Sequence, residues 1–174
     1  MRLIGLILAA AVLSGCSSLA RQTAPTTGEG DLRLSGRLSV QVAGNSGRAS
    51  GGNAGFELVG SPAAGQLELS TPLGSLVARA SWQAGEVRLQ TPEQERRFED
   101  LDALTRELLG EPIPVAALFD WLRGRPWPGL GSTPTAEGFE QLGWRIDLAR
   151  FSDGLIVATR AAEPAVVLRA RIEK

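Results

Sequence analysis

The residue with the most definite chemistry is Cys16, the single cysteine of the 174-residue chain. It follows Leu-Ser-Gly at positions 13–15, and these follow Arg2 and a short apolar run. Small residues ahead of a cysteine admit a lipoprotein signal peptidase, after which the thiol takes a diacylglycerol and the freed amine takes a third acyl chain. We therefore expect residues 1–15 to be a cleaved signal peptide and Cys16 to carry a membrane anchor. The alternative is an ordinary secretory signal with a chance cysteine.

The residue types that are missing exclude several kinds of chemistry. The chain has no histidine and no tyrosine, and its only lysine is Lys174. A Ser-His-Asp triad, a histidine zinc site and a P-loop are thereby excluded. The acids at positions 99, 100 and 102 fall at the start of a predicted helix, where the helix dipole favours them; a catalytic carboxylate pair is the alternative. The net charge of −1 and the lack of a basic stretch argue against a nucleic-acid partner. No cofactor is expected beyond the covalent lipid on Cys16.

An exposed apolar residue is the second candidate for a functional role. Two alternating segments, 66–70 and 76–82, predict a β-hairpin. The connecting turn contains Pro72, which fixes φ, and Gly74, which adopts positive φ readily. Leu73 lies between them, where a large apolar side chain is unusual. It either folds back onto the core or protrudes to touch a membrane or an apolar partner.

The elements that position these residues are mostly strands. After a Thr-, Ala-, Gly- and Ser-rich segment over residues 16–30, which we interpret as a flexible tether, the domain runs over residues 31–174. Gly36 is expected to mark a bend or a close approach in the first strand, and residues 44–55 are expected to form a glycine-rich loop. Apolar–polar alternation predicts about nine strands, at 32–42, 56–58, 66–70, 76–82, 87–89, 138–142, 144–148, 155–159 and 166–172.

Two short helices interrupt the strands. Leu101, Leu104, Leu108 and Leu109 recur at helical spacing between a cap at Glu99 or Asp100 and a stop at Gly110. After the Pro-x-Pro link at 112–114, a second helix carries an apolar stripe and ends at Gly124, and an irregular loop over 125–136 follows. Two such helices cannot form a bundle, so we expect them to plug a curved antiparallel sheet, leaving a core that is packed or partly hollow. The stripe of the second helix is Val115, Leu118, Phe119 and Leu122, with Trp121 beside it.

The chain resembles the LolB family over nearly all of the part that follows Cys16. The resemblance rests on the lipobox and on short segments in the expected order: GRLSV at 36–40, LSTPLG at 69–74, LLGEPIPV at 108–115, WLRG at 121–124 and GW at 143–144. The fold that it implies is mostly β, an unclosed antiparallel β-barrel with short helices forming a lid over an apolar cavity. The lipid anchor at Cys16 favours this receptor family over the related soluble carrier family, LolA.

The resemblance also implies a function. LolB proteins accept lipoproteins from a LolA-type periplasmic carrier and deliver them into the outer membrane, so the expected partners are that carrier, cargo acyl chains and the membrane. We expect a non-enzymatic monomer anchored in the inner leaflet of the outer membrane, with Ser17 after the cysteine agreeing with that location. Leu73, between Pro72 and Gly74, matches the family's protruding leucine. The expected cavity-lining residues are Leu38, Val40, Phe56, Leu58, Leu67, Leu69, Trp82, Val87, Leu118, Trp121, Leu122, Trp144 and Ile146.

Two other classes of protein stay open. One is an envelope lipoprotein with a structural or assembly role and a packed barrel core. The other is a hydrolase that uses two carboxylates with different pKa values in a cleft.

Overall fold

The computed structural model describes residues 32–43, 50–109 and 112–173. The predicted signal peptide, Cys16, the predicted tether and the Gly110 stop lie outside the described residues, as do the side chains of Leu108 and Leu109. The described elements are β1 (Leu32–Val42), β2 (Ser50–Gly60), β3 (Gly65–Ser70), β4 (Leu76–Gln83), β5 (Glu86–Gln90), β6 (Glu95–Phe98), α1 (Leu101–Leu109), α2 (Val115–Trp121), β7 (Thr133–Thr135), β8 (Gly138–Gln141), β9 (Trp144–Asp147), a single 3₁₀ turn (Phe151–Asp153), β10 (Leu155–Arg160) and β11 (Val166–Ile172).

All strands belong to one antiparallel sheet in the order β6-β5-β4-β3-β2-β1-β11-β10-β9-β8-β7. The first strand therefore lies in the middle of the sheet, paired with β2 on one side and with the last strand on the other. The sheet begins at β6 and stops at β7, so the barrel is unclosed. The predicted fold class, an unclosed antiparallel barrel with two short helices, is confirmed.

Alternation along the strands gives the sheet one apolar face. In β1 the even-numbered residues face inward, and the same register brings Gly36, Phe56 and Leu69 side by side on three neighbouring strands. The predicted close approach at Gly36 is confirmed, because a Cβ there would fall 2.0 Å from the carbonyl oxygen of Arg171.

The two helices lie on the apolar face and complete the core. Phe119 of α2 packs edge-on against Trp82 of β4, with ring centroids 5.9 Å apart. Trp121 packs against Trp144 of β9 at 6.0 Å. The stripe residues Leu104, Val115, Phe119, Trp121 and Leu122 are all buried in one cluster with the sheet. The prediction that the helices plug the curved sheet is confirmed.

Local contacts fix the ends of the helices. The backbone N–H of Ala103 donates to Asp100 Oδ1 at 2.7 Å, which confirms the Asp100 cap on α1. Thr105 Oγ1 donates to the Leu101 carbonyl and accepts from the Ile113 N–H, both at 3.0 Å. This hydroxyl ties α1 to the chain that enters α2.

Three predictions about the strands are wrong. β2 begins at Ser50 rather than at Phe56, because its glycine-rich first half pairs residue for residue with β1 and needs no apolar alternation to do so. β6 and β7 were not expected, and the described residues form eleven strands rather than about nine. β6 is charged and β7 contains Pro134, and edge strands of this composition carry no apolar alternation.

Candidate functional site

The turn between β3 and β4 holds Leu73 away from the core. The Thr71 N–H donates to the Ser75 carbonyl at 2.8 Å, the Gly74 N–H donates to the Thr71 carbonyl at 2.9 Å, and the Ser75 N–H donates to Thr71 Oγ1 at 3.1 Å. Gly74 has φ +83°, a conformation that favours glycine. Leu73 is 95 % exposed. Of the two sequence interpretations, protrusion is therefore the one the fold adopts.

The residues predicted to line a cavity all lie on the inner side of the barrel or on α2 and the turn that follows it. Four of them, Leu38, Leu67, Leu69 and Leu118, are half-buried at the margin of the core. The others are buried within it: Val40, Phe56, Leu58, Trp82, Val87, Trp121, Leu122, Trp144 and Ile146. The fold thus brings the whole predicted set together around α2, and Phe119 occupies the space in front of Trp82.

Helix α2 begins without a side-chain cap. It starts after Pro114, and among the described residues no side chain accepts a hydrogen bond at its N-terminus. At the other end, Arg125 Nε donates to Asp120 Oδ1 at 2.7 Å. The contacts that hold the first turn of α2 on the sheet are therefore mainly apolar.

Helix α1 is attached to the sheet edge by charge. Arg96 of β6 forms a two-pronged ion pair with Glu107, with one arm at 2.9 Å. Hydrogen bonding to Glu107 raises the pKa of the Arg96 guanidinium above its ordinary value. The same guanidinium lies 5.1 Å from the centre of the Phe98 ring. This arrangement holds α1 beside the β6 edge.

The sequence reasoning missed Gln141, which organises the loop after α2. Its Oε1 accepts from Trp121 Nε1 at 2.8 Å and from the Trp127 N–H at 2.9 Å. Its Nε2 donates to the carbonyls of Trp127 and Leu130, each at 2.7 Å. The signal was a glutamine at the inward register of β8, two residues after the buried Phe139, where an apolar side chain is expected.

Two further observations bear on the kind of site. Among residues 32–43, 50–109 and 112–173, there is no group of three or more His, Cys, Asp and Glu side chains that could hold a metal ion. Within the same residues, neither helix has the length and apolar composition needed to cross a membrane. The candidate site consists of the apolar interior around α2 and the exposed tip of the β3–β4 turn, where Leu73 protrudes.

The fold and the site together define a half-open antiparallel barrel that is filled by two helices and carries a protruding apolar loop. A family model described as "Outer membrane lipoprotein LolB" matches residues 31–167. The chain belongs to this family of outer-membrane lipoproteins, whose role is lipoprotein localisation.

Individual relatives support the assignment over most of the chain. The outer-membrane lipoprotein LolB of Chromobacterium violaceum is 31 % identical over 158 residues, covering 88 % of this chain and 85 % of the relative. Its counterpart in Bordetella petrii is 36 % identical over 162 residues, covering 86 % and 80 %. That of Ralstonia nicotianae is 34 % identical over 159 residues, covering 84 % and 75 %.

Proposed function

We propose that this protein accepts lipoproteins from a LolA-type periplasmic carrier and delivers them into the outer membrane without hydrolysing a nucleotide. In this proposal Cys16 carries the covalent lipid anchor, residues 16–30 are the tether, and the domain faces the periplasm from the inner leaflet. The observation that carries the proposal is Leu73, which is held 95 % exposed at the tip of a hydrogen-bonded turn. Its position leaves the side chain free to enter a membrane.

Cargo transfer needs a protected path for acyl chains. Exposing a 16-carbon chain to water costs about 11 kcal/mol, at about 0.8 kcal/mol per CH₂ group. The donor and this protein therefore meet with their apolar interiors facing each other. A difference of about 1.4 kcal/mol in affinity for the chain is sufficient for a tenfold bias toward the acceptor, so binding alone can drive the transfer.

The acyl chain would enter where α2 now packs. Because Phe119 lies against Trp82 and the interior is buried, binding requires the apolar stripe of α2 to move off the sheet. The uncapped start of α2 and the half-buried Leu38, Leu67, Leu69 and Leu118 make this margin the entry point that we favour. The buried members of the predicted cavity set would contact the chain after the helix moves.

The composition of the two edge strands supports the proposed monomer. An exposed edge strand can pair with another chain unless charge or proline blocks it. β6 carries Glu95, Arg96 and Arg97, and β7 has Pro134 at its centre. Both edges thus carry features that oppose edge-to-edge pairing.

A second candidate is supported by the packed interior. Nearly all of the inward-facing side chains, together with α2, form one buried cluster. A structural or assembly lipoprotein would need only such a core and the anchor. It would have no use for Leu73, and for that reason we rank it below the receptor.

The test uses the chain from residue 16 onward with Cys16→Ala, a LolA-type carrier loaded with a fluorescent lipoprotein, and liposomes. We expect the label to move to the protein and then to the liposomes. In Leu73→Glu the first step should persist and the second should fall about 10- to 100-fold, since burying one leucine contributes about 1.5–3 kcal/mol.

The matched control is Leu130→Glu, the same substitution at a residue that is 56 % exposed on the loop after α2. It should leave both steps unchanged. If a competent donor passes no label to the unmutated protein, the receptor proposal is wrong and the structural lipoprotein is the better account.

A further inference from the structure

Three arginines lie together on the outer face of the sheet, beside the Leu73 turn. Arg37 of β1 is directly opposite Arg171 of β11. Arg169 is opposite Ser39, two residues further along the same two strands and on the same face of the sheet. All three arginines are exposed. The sequence shows no basic stretch because residues more than 130 positions apart form the group.

The charge of this group is not balanced by its neighbours. The nearby carboxylates of Glu57 and Glu68 are paired with Arg33 and Arg79, the latter pair at 2.7 Å. Across residues 32–43, 50–109 and 112–173, no carboxylate lies within ion-pair distance of any of the three, Glu173 on the same face included. Arg169 makes one long contact, at 3.4 Å to Gln41.

Such a pair does not serve the stability of the sheet. Side chains directly opposite on antiparallel strands have Cβ atoms about 4.5–5.5 Å apart, and like charges at this spacing are destabilising. The repulsion between Arg37 and Arg171 would be relieved by an anion placed between them. Guanidinium groups bind phosphate through two parallel N–H···O bonds, which suits an arginine pair to that anion.

A groove of about 630 Å³ joins the arginines to the protruding turn. Its lining includes the three arginines, Thr71, Pro72 and Gly74 of the turn, and the carboxylates of Glu57, Glu68 and Glu173. Gly55, which pairs with Arg37 on one side and with Ser70 on the other, contributes no side chain to fill it.

The strand register places the arginines only a few residues from the loop tip along the chain direction of the strands. Ser70, Gly55, Arg37 and Arg171 form one row across four strands. Leu73 is three residues beyond Ser70, which is at most about 11 Å of extended chain. The proposal below requires this row to approach the layer of lipid phosphates when Leu73 reaches the acyl region, and each headgroup layer is about 5–8 Å thick.

We propose that the groove bounded by Arg37, Arg169 and Arg171 binds phosphate groups of membrane lipids and seats this outer face on the bilayer while Leu73 inserts. This inference rests on the proposed membrane role of Leu73. It adds an electrostatic contact on the outer face of the sheet, at a site distinct from the apolar interior that would hold cargo.

The test measures co-sedimentation of the Cys16→Ala chain (residues 16–174) with vesicles of 3:1 phosphatidylethanolamine and phosphatidylglycerol. The variant is Arg37→Gln with Arg171→Gln, and the matched control is Arg97→Gln with Arg145→Gln, which removes the same charge from exposed positions on β6 and β9. The first pair should weaken binding about 20-fold or more, since one basic side chain near an anionic surface is worth about fivefold. The control should weaken it less than about threefold.

Three further measurements keep the outcomes distinct. Arg37→Lys with Arg171→Lys should recover part of the binding. The Tm of the glutamine variant should be no lower than that of the parent, since the repulsion between Arg37 and Arg171 has been removed. Equal loss in the arginine pair and its control would overturn the proposal. So would binding of inorganic phosphate to the parent in the absence of vesicles, if the arginine pair had no effect on vesicle binding, because the site would then take free phosphate rather than lipid.

Cargo acceptance separates this proposal from the one before it. The Arg37→Gln and Arg171→Gln variant should still take labelled lipoprotein from the carrier at the parent's rate. If the parent fails to accept label, the receptor function is contradicted, and the vesicle assay still decides whether the arginines bind the membrane.

Discussion

Leu73 and Gln141 both lie in surroundings that contrast with their chemistry. Leu73 is apolar and exposed, and Gln141 is polar and 3 % exposed. Exposing the Leu73 side chain to water is unfavourable. Burying Gln141 is tolerated because both the oxygen and the nitrogen of its side-chain amide are hydrogen-bonded. The exposed leucine has no role in stability that the fold reveals, whereas the buried glutamine is a structural tie between α2, β8 and the loop that follows α2.

Replacing Gln141 should therefore destabilise the fold. Gln141→Ala leaves Trp121 Nε1, the Trp127 N–H and two carbonyls without their partner. An unsatisfied buried polar group costs about 1–3 kcal/mol, so we expect the free energy of unfolding to fall by about 3 kcal/mol in urea titrations. The exposed Gln94→Ala, whose side chain makes no hydrogen bond among the described residues, is the control and should cost less than about 0.5 kcal/mol. A loss of similar size in both variants would contradict the role given to Gln141.

At the scale of elements, the pairing of β1 with β11 depends on a glycine. A Cβ at Gly36 would fall 2.0 Å from the carbonyl oxygen of Arg171. Gly36→Ala should force the two strands apart and lower the free energy of unfolding by about 2 kcal/mol, within the usual range for overpacking. Gly52→Ala on β2 is the matched control, because a Cβ there would meet open space among the described residues. Equal stability of the two variants in urea would show that β1 and β11 tolerate the added carbon.

The charged ladder across β4, β5 and β6 should make stability depend on pH. The Arg88 side chain donates to Glu86 at 2.8 Å, and this hydrogen bond, with a second from Gln83, lowers the pKa of Glu86 below its ordinary 4.5. The resulting stabilisation is present above the unfolded-state pKa and is lost as the pH falls through the lower, folded-state pKa.

We therefore expect Glu86→Gln to have a lower Tm than the parent at pH 7, and the difference to vanish as the pH is lowered toward 3. Among the described residues no arginine pairs with Glu93, in the β5–β6 turn, so Glu93→Gln is the control and should shift Tm little. A Tm difference for Glu86→Gln that grows at low pH would contradict this sign.

The sequence predicted those elements whose residues obey a period. β1, the β3–β4 hairpin and both helices alternate or repeat clearly, and the structure contains them. The first half of β2, with glycines at 51, 52 and 55, carries no period, and its strand form comes from pairing with β1. β6 and β7 carry no apolar period either, because they are polar strands at the two edges of the sheet.

The candidate site divides in the same way. Apolar residues at inward positions could be picked out because the alternation itself defines the inner face. The direction of the Leu73 side chain could not be predicted, since a leucine in a turn is compatible with burial or protrusion until the turn geometry is known. The arginine group and the Gln141 network could not be predicted either, because both join segments distant in sequence.

For the whole molecule, the central issue is whether the interior can open. Phe119 is the side chain of α2 that packs on Trp82. Phe119→Ala should leave a cavity, lower the free energy of unfolding by about 3–5 kcal/mol and increase the binding of an apolar dye. The control is Phe151→Ala, which removes a ring that is 39 % exposed on the 3₁₀ turn and should change neither quantity greatly. Lower stability without dye binding would favour the packed structural lipoprotein.

The central place of β1 has a consequence for how the chain folds. β1 is the first of the described strands to leave the translocation machinery. One of its two edges stays unpaired until β11, at the far end of the sequence, follows. Pairings this distant in sequence form slowly, since the entropy of closing the loop is lost before any contact is gained. Until residues 166–172 arrive, the unpaired edge of β1 is open to aggregation. Before that point residues 32–98 can pair only as the β1–β6 half of the sheet, so a chaperone that covers the free edge of β1 would lower this risk.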